Sequence, residues 1–174
     1  LESEGASFEG AEASFELLIR RHQADYVAPF RLLDFTVFVE SRDGRDLRAE
    51  ATVKVEVEGE VLHTAADGNG PVNALDAALR KALGAFYPQL DGVHLVDYKV
   101  RILDGDAATA AKTRVVIDSA SEWGTWSTGG ADTNIIAASW QALGDSLEYA
   151  LWKSDARPHR RDERHFTTIQ GARP

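Results

Sequence analysis

The chain has 174 residues, 44% of them hydrophobic, which is enough for one domain with a buried core. Its formal net charge of −9 at pH 7 argues against nucleic-acid binding, which normally requires a basic surface. No apolar run approaches the ~20 residues of a membrane-spanning helix, no signal peptide is visible, and the lack of cysteine excludes disulfides and cysteine-ligated metals. We therefore expect a cytoplasmic protein that contacts neither nucleic acid nor membrane. Because the chain also lacks methionine, we expect it to be a piece of a longer protein.

The N-terminal segment predicts a helix over 1–24 and a linker over 25–30. Glutamates precede arginines along this helix, which is the charge order that suits the helix dipole. We expect residues 1–30 to be the end of a linker subdomain. The apolar face of the predicted helix carries Phe8, Ala11, Phe15, Leu18, Ile19 and His22.

Three strands and a helix are predicted in the first half. Residues 31–41 indicate a strand, and residues 47–58 alternate almost without fault between apolar and polar side chains. That alternation is typical of a half-buried antiparallel strand with one wet face. A tight turn at Glu58-Gly59-Glu60 leads into a third strand. A helix over about 71–86 follows, with an apolar stripe formed by Val72, Leu75, Leu79, Leu83 and Phe86.

The second half repeats this order. Strands are predicted over 94–103, 109–120 and 123–128, and a helix runs from about Thr133 to Trp152. Asp132 is the predicted N-cap of that helix. Its apolar stripe consists of Ile136, Trp140, Leu143, Leu147 and Leu151.

The repeat is visible residue by residue, because 69–79 aligns with 133–143 without gaps. The predicted fold class is α+β. It has two βββα units, 31–90 and 91–153, related by an internal pseudo-two-fold axis and preceded by a linker helix. Because one face of each strand is polar and solvent-exposed, we expect the helices on only one face of each antiparallel sheet. A single mixed sheet with the same elements is the alternative. Residues 154–174, which are polar and aperiodic, predict an extended polar tail.

The motif Asp67-Gly68-Asn69-Gly70-Pro71 marks a candidate binding site at the start of the first-half helix. Proline is well tolerated at the first helical position, and glycines let a ligand approach the backbone closely. Free N–H groups and the helix dipole favour an anion there, either a carboxylate or a phosphate. On the motif alone, a strand-to-helix turn without a ligand is the favoured interpretation. No Gly-Lys-Ser/Thr follows, so the motif is not a Walker loop.

No catalytic or metal-ligating residue is predicted. Arg42-Asp43-Gly44 lies between two alternating strands and indicates a hairpin turn. Ser139 lies on the inner side of the second helix without a His-Asp pair that can be placed near it. The histidines form no metal-binding motif, and their default role is structural: His22, His63, His94, His159 and His165.

Three separated stretches carry a family resemblance: "FEGAEASFELLIRR", "DGNGPVNALDAAL" and "TNIIAASWQALGDSLEYAL". Together they resemble the C-terminal part of the 2-isopropylmalate synthase and citramalate synthase family, over roughly residues 1–153. The segments "AEASFELL" and "ASWQALGDSLEY" are more similar to the citramalate synthase branch. Each stretch alone would be weak, whereas the three in this order are specific.

The resemblance implies a regulatory domain of an acyltransferase. Full-length members condense acetyl-CoA with a 2-oxo acid on a metal-dependent TIM barrel, and citramalate synthase uses pyruvate for isoleucine synthesis. The barrel's His-x-His motif is not in this chain, and Arg42-Asp43-Gly44 lies in the wrong context to be the barrel's early Arg-Asp-Gly motif. The resemblance therefore implies a domain that forms a homodimer, binds the end-product amino acid and inhibits the barrel of the same parent chain. No cofactor is expected in this fragment, whereas the parent's barrel would use a divalent metal.

The resemblance also assigns candidate effector-binding residues. Backbone N–H groups of Gly68, Asn69, Gly70 and Asn73 would bind the carboxylate. Asp97 and Asp67 are candidates for the ammonium partner. Strand alternation places Tyr98 on the inward face and Leu95 on the opposite one. The side-chain pocket implied by the family consists of Val72, Leu95, Tyr98, Ala108, Ala110 and Ile135.

Three functions stay open from the sequence: an isoleucine-sensing domain, a leucine-sensing domain of a 2-isopropylmalate synthase, and a purely structural dimerisation module. Leucine and isoleucine differ only in the position of a methyl group, which is worth ~1–3 kcal/mol in a pocket. A free-standing enzyme is the least supported interpretation, because no convergent catalytic groups are present.

Overall fold

The structure, a computed structural model, describes residues 10–41, 43, 46–103 and 111–159. No helix within these ranges combines the length and the apolar character needed to cross a membrane. Its regular elements, in chain order, are α1 (Glu12–Arg21), β1 (Arg31–Glu40), β2 (Arg48–Val57), β3 (Glu60–Gly68), α2 (Pro71–Leu83), a short 3₁₀ helix (Pro88–Gly92), β4 (His94–Ile102), β5 (Thr113–Ser121), β6 (Gly124–Asp132) and α3 (Ile135–Lys153).

The strands form two separate antiparallel sheets, with orders β1-β2-β3 and β4-β5-β6. Helix α2 packs on the first sheet and α3 on the second. The predicted α+β class with two βββα units is confirmed, and the alternative of a single mixed sheet is wrong. The alternation of β2 is also confirmed, because its inward side chains are all buried: Ala49, Ala51, Val53, Val55 and Val57.

The internal repeat extends to individual hydrogen bonds. Thr64 Oγ1 donates to the carbonyl of Ala78 at 2.7 Å, and Thr128 Oγ1 donates to the carbonyl of Ala142 at 2.8 Å. Ala78 and Ala142 are equivalent in the gap-free alignment of the two helices. The first strand of each unit also has a register shift at the same place, directly after its second residue. The two units therefore share local geometry as well as element order.

The ends of several elements differ from the sequence prediction. Helix α2 ends at Leu83, although Phe86 beyond it is still buried. The N-cap of α3 is Asn134 and not Asp132, because the Asn134 Oδ1 atom accepts hydrogen bonds from the N–H groups of Ile136 and Ala137. Asp132 instead accepts a bond from the N–H of Asn134. Strand β6 runs four residues beyond the predicted end at 128, because Thr113 of β5 pairs with Asp132.

The packing face of α1 was predicted only in part: Ala11 is buried as expected, Phe8 lies outside the described residues, and two large members of the predicted stripe are exposed. Phe15 and Ile19 are 46% and 51% exposed, whereas the buried side chains of the helix itself are Ala13, Ser14 and Leu17. This face lies on α3 and β6. Small side chains permit that close approach, and the Ser14 hydroxyl accepts the N–H of Gly129 at 3.0 Å. The hydrophobic period missed Ala13 and Ser14 because it gave most weight to large apolar side chains.

An ion-pair network holds α1 on α3. Arg21 Nη2 donates to Asp145 at 2.7 Å and to the buried Glu148 at 2.5 Å. Tyr26 adds a hydrogen bond to Glu148 at 2.8 Å. Burial raises the pKa of Asp145, and burial next to Glu148 raises the pKa of Tyr26 to about 12. Burial alone would lower the pKa of Arg21, but its bonds to the two carboxylates raise it.

The chain after α3 is held against the first unit. The N–H of Ala156 donates to the carbonyl of Leu151, and the N–H of His159 donates to the carbonyl of Phe86 at 2.9 Å. The beginning of the predicted tail therefore makes defined backbone contacts. Residues 160–174 of that tail lie outside the described residues.

We predict that Arg21→Met lowers the free energy of unfolding by about 2 kcal/mol, because it leaves Asp145 and Glu148 without their cation. Arg20→Met is the matched control on the same helix. Its ion pair is with the exposed Asp25, so the expected loss is much smaller. Urea unfolding of the three proteins measures both values. Equal losses for the two variants would contradict a stabilising role for the network.

Candidate functional site

A cavity of about 600 Å³ lies between α2, the 3₁₀ helix and β4. One wall comes from the first unit and the opposite wall from the second, so a ligand in it would contact both. The lining residues are Val72, Asn73, Asp76, Arg80, Leu90, Asp91, Val93, His94, Leu95 and Tyr98.

The strand side of the cavity is largely apolar and depends on an irregularity in β4. Leu95 pairs with Ser119 and Asp97 with Asp118, so Val96 occupies an extra position in the ladder. Strict alternation placed Leu95 and Tyr98 on opposite faces, and that prediction was wrong because the bulge shifts the pattern between them. Both side chains line the same cavity.

Tyr98 is fixed by a hydrogen bond to α3. Its hydroxyl lies 2.8 Å from the Ser139 Oγ atom, and Ser139 also donates to the carbonyl of Ile135 at 2.7 Å. Ser139 is fully buried, so this contact joins the cavity wall to the interior of the second unit. Ser139 thus has a structural partner.

The helix side of the cavity carries an ion pair. Arg80 Nε lies 2.9 Å from both carboxylate oxygens of Asp76, one helical turn earlier. Arg80 Nη1 donates to the carbonyl of Val93 at 2.7 Å and to that of Leu90 at 3.4 Å. The guanidinium therefore ties α2 to the segment that leads into β4. Sequence reasoning missed both residues, although an Asp and an Arg at (i, i+4) on a predicted helix were a signal of this pair.

The start of α2 lies beside the cavity. Pro71 is the first helical residue, as predicted, and Gly70 is an extended N-cap without a side-chain cap. The N–H of Asn69 is already bonded to the Oδ1 atom of Asn73 at 3.1 Å. Gly68 has no room for a side chain, because a Cβ there would lie 2.3 Å from the backbone nitrogen of Ala74. This glycine thus permits the close approach of α2 to β3.

The structure brings only part of the predicted effector site together. Val72, Asn73, Leu95 and Tyr98 line the cavity. Gly68, Asn69 and Gly70 precede them in the chain but are not in its lining, and neither is Ile135, the exposed first residue of α3. Ala108 and Ala110 lie outside the described residues.

Neither of the two predicted ammonium partners lines the cavity. Asp67 is an exposed residue of β3. Asp97 is exposed on β4, where it pairs with Lys99 at 2.8 Å and accepts the N–H of Tyr98. The hydrogen bond from Lys99 lowers the pKa of Asp97. The carboxylates that line the cavity are instead Asp76 and Asp91. Across the described ranges, no three His, Asp or Glu side chains form a group that could hold a metal ion.

Comparison with known proteins places these features in a family. Residues 9–151 match the LeuA allosteric (dimerisation) domain. The (R)-citramalate synthase of Geobacter sulfurreducens is 52% identical over 89% of this chain and 30% of its own length. The (R)-citramalate synthase of Synechocystis is 49% identical over 87% of this chain and 28% of its own length. The 2-isopropylmalate synthase of Aquifex aeolicus is 34% identical over 81% of this chain and 25% of its own length.

The matched part is thus less than a third of each of these relatives. It coincides with the two βββα units and the helix α1 that precedes them. The chain belongs to the LeuA allosteric (dimerisation) domain family found in citramalate synthases and 2-isopropylmalate synthases.

Proposed function

We propose that this chain is the effector-binding and dimerisation domain of a citramalate synthase, and that it binds isoleucine for feedback inhibition. The observation that carries the proposal is the cavity in which Val72, Asn73, Leu95 and Tyr98 meet at the start of α2. The identity with citramalate synthases, which exceeds that with the 2-isopropylmalate synthase of Aquifex aeolicus, supports the isoleucine branch.

The cavity offers what a branched-chain amino acid requires. An apolar wall from Leu90, Val93 and Leu95 can receive the side chain. The carboxylate would accept hydrogen bonds from N–H groups in the first turn of α2, where no side chain caps the helix. Because the N–H of Asn69 is bonded to Asn73, the N–H groups after Pro71 are the better donors.

In the parent protein, a preceding TIM barrel with a divalent metal would condense acetyl-CoA, pyruvate and water to citramalate and CoA, in the cytoplasm. The effector would inhibit it by binding one state of this domain more tightly than the other. Allosteric coupling of this kind is typically worth ~1–3 kcal/mol. A ligand between α2 and β4 can supply such a difference, because its affinity depends on how the two units are arranged.

The proposed homodimer has apolar surface available. Strand β4 has little contact with α3, which packs mainly on β5 and β6. Val96, Val100 and Ile102 of β4 are therefore exposed, as are Phe38 and Val39 of the equivalent strand β1. A second copy that covers such surface would gain hydrophobic stabilisation of ~25 cal/mol per Å² of apolar area buried.

The second candidate is a leucine-binding domain of a 2-isopropylmalate synthase. The 34% identity to the enzyme of Aquifex aeolicus favours it, because that relative is matched over most of this chain. A purely structural dimerisation module would have the same fold and the same exposed strands but no ligand.

We predict that calorimetric titration of the purified chain shows saturable binding of L-isoleucine, with L-leucine and L-valine at least tenfold weaker. One misplaced methyl group in leucine, or one missing methylene in valine, accounts for such a ratio. Leucine preference would assign the chain to the isopropylmalate branch. A stable dimer that binds none of the three amino acids would contradict the proposed function and support the structural module.

We predict that Gly70→Asp weakens effector binding about tenfold or more without lowering the melting temperature. Gly70 has open space around it and an extended backbone, so a side chain fits, and Asp is a favourable N-cap. Its carboxylate would compete with that of the effector at the helix start. Gly70→Ala is the control, since it adds a Cβ without charge and should retain affinity within about twofold. Unchanged binding by Gly70→Asp would contradict the carboxylate position.

A further inference from the structure

Because of the internal repeat, the kind of interface between the units that surrounds the cavity occurs twice in the domain. Within one interface, β4 of the second unit faces α2 of the first. In the other interface, β1 of the first unit faces α3 of the second. Matched at their register shifts, Leu95 and Tyr98 of β4 correspond to Leu32 and Phe35 of β1. The aligned helices match Asp76 with Trp140 and Arg80 with Gly144.

Side chains of the protein itself fill the second interface. The rings of Phe35 and Trp140 lie 5.1 Å apart, in a tilted contact. Leu32 packs directly on Gly144, where an added Cβ would come within 2.5 Å of the Leu32 Cδ1 atom. A large aromatic ring and a glycine thus close the position at which the other interface has Asp76 and Arg80. At the matched positions, the interface with the cavity has a charged pair in place of this apolar filling.

From this asymmetry we infer that Asp76 binds the ammonium group of the effector and that Arg80 is its positioning residue. The inference rests on the proposed function, namely that the cavity binds an amino acid. Asp76 and Arg80 are only 17% and 23% exposed, and their bond holds the carboxylate at a defined place in the wall. Arg80 is itself anchored to the carbonyls of Leu90 and Val93.

The Asp76 carboxylate has capacity for a second cation. An ionised carboxylate has about four lone-pair sites, and the single Nε–H of Arg80 occupies few of them. Asp76 lies one turn after Asn73, on the same side of α2, and residues at this spacing have Cβ atoms ~5–6 Å apart. An α-amino acid can bridge that distance, with its carboxylate at the first turn and its ammonium at Asp76.

The other titratable groups of the cavity are less suited to this role. Asp91 and His94 line it but are exposed, so water competes for any cation they bind. In the less hydrated position of Asp76, a charge-assisted hydrogen bond is stronger. Asp76 therefore takes the place that the sequence had given to Asp97 or Asp67.

The test compares L-isoleucine with 3-methylpentanoate, its analogue without the ammonium group, by calorimetric titration and competition. We expect Asp76→Asn to weaken isoleucine binding about 10–100-fold, the range of a lost hydrogen bond to a charged group. Binding of 3-methylpentanoate should be unchanged or tighter in this variant, because a negative charge near its carboxylate is gone. Asp91→Asn, an exposed carboxylate of the same cavity, is the matched control and should change isoleucine affinity less than twofold.

Three outcomes would overturn the assignment of Asp76. These are isoleucine affinity retained within about twofold in Asp76→Asn, a parallel loss of affinity for both ligands, or a larger loss in Asp91→Asn. If 3-methylpentanoate binds no variant at any concentration tested, the first and third outcomes still test the assignment of Asp76. A wild-type chain that binds no branched-chain amino acid would instead overturn the proposed function itself. Melting curves of each variant identify any loss of affinity that comes from unfolding.

Discussion

The close packing of each helix on its sheet is the constraint on which the rest of the structure depends. In both units a threonine hydroxyl of the third strand donates to a helix carbonyl, from Thr64 to Ala78 and from Thr128 to Ala142. At Gly68 and Gly130 the helix backbone comes so near that a Cβ would lie within 2.3 Å of it. These contacts fix the height and rotation of α2 and α3, and therefore which helix side chains reach the neighbouring unit.

The position of each helix on its sheet also determines which strands stay uncovered. Because α3 sits on β5 and β6, it leaves β4 largely uncovered, and the side of α2 faces that strand instead. A duplicated domain with identical packing would close both of its cross-unit interfaces or neither. Here Phe35 and Leu32 pack on Trp140 and Gly144 at one interface, whereas the other contains the cavity and is lined by Asp76 and Arg80. Burying a charged pair costs free energy that apolar filling does not, so its retention in the wall fits a binding role better than a stabilising one.

The fold could be predicted further from the sequence than the site could. The alternation in β2 and the gap-free repeat are periodic signals, and both survive in the structure. The cavity depends on features that have no period. The bulge at Val96 moves Leu95 and Tyr98 to one side, and the pair of Asp76 and Arg80 has the same pattern in sequence as a solvated helix face. The α1 face failed for a related reason, since its contacts use Ser14 and a distant ion pair.

Helix α3 is the element that contacts both the cavity and the linker helix. Tyr98 in the cavity wall is bonded to Ser139 near the beginning of α3, and further along the same helix Asp145 and Glu148 hold Arg21 of α1. An α-helix transmits displacement along its axis because its backbone hydrogen bonds are continuous. A ligand that repositions Tyr98 would therefore act on the same rigid body that anchors α1. Since α1 precedes both units in the chain, the contact between α3 and α1 is where, under the proposed function, a change at the cavity would be passed on beyond the two units.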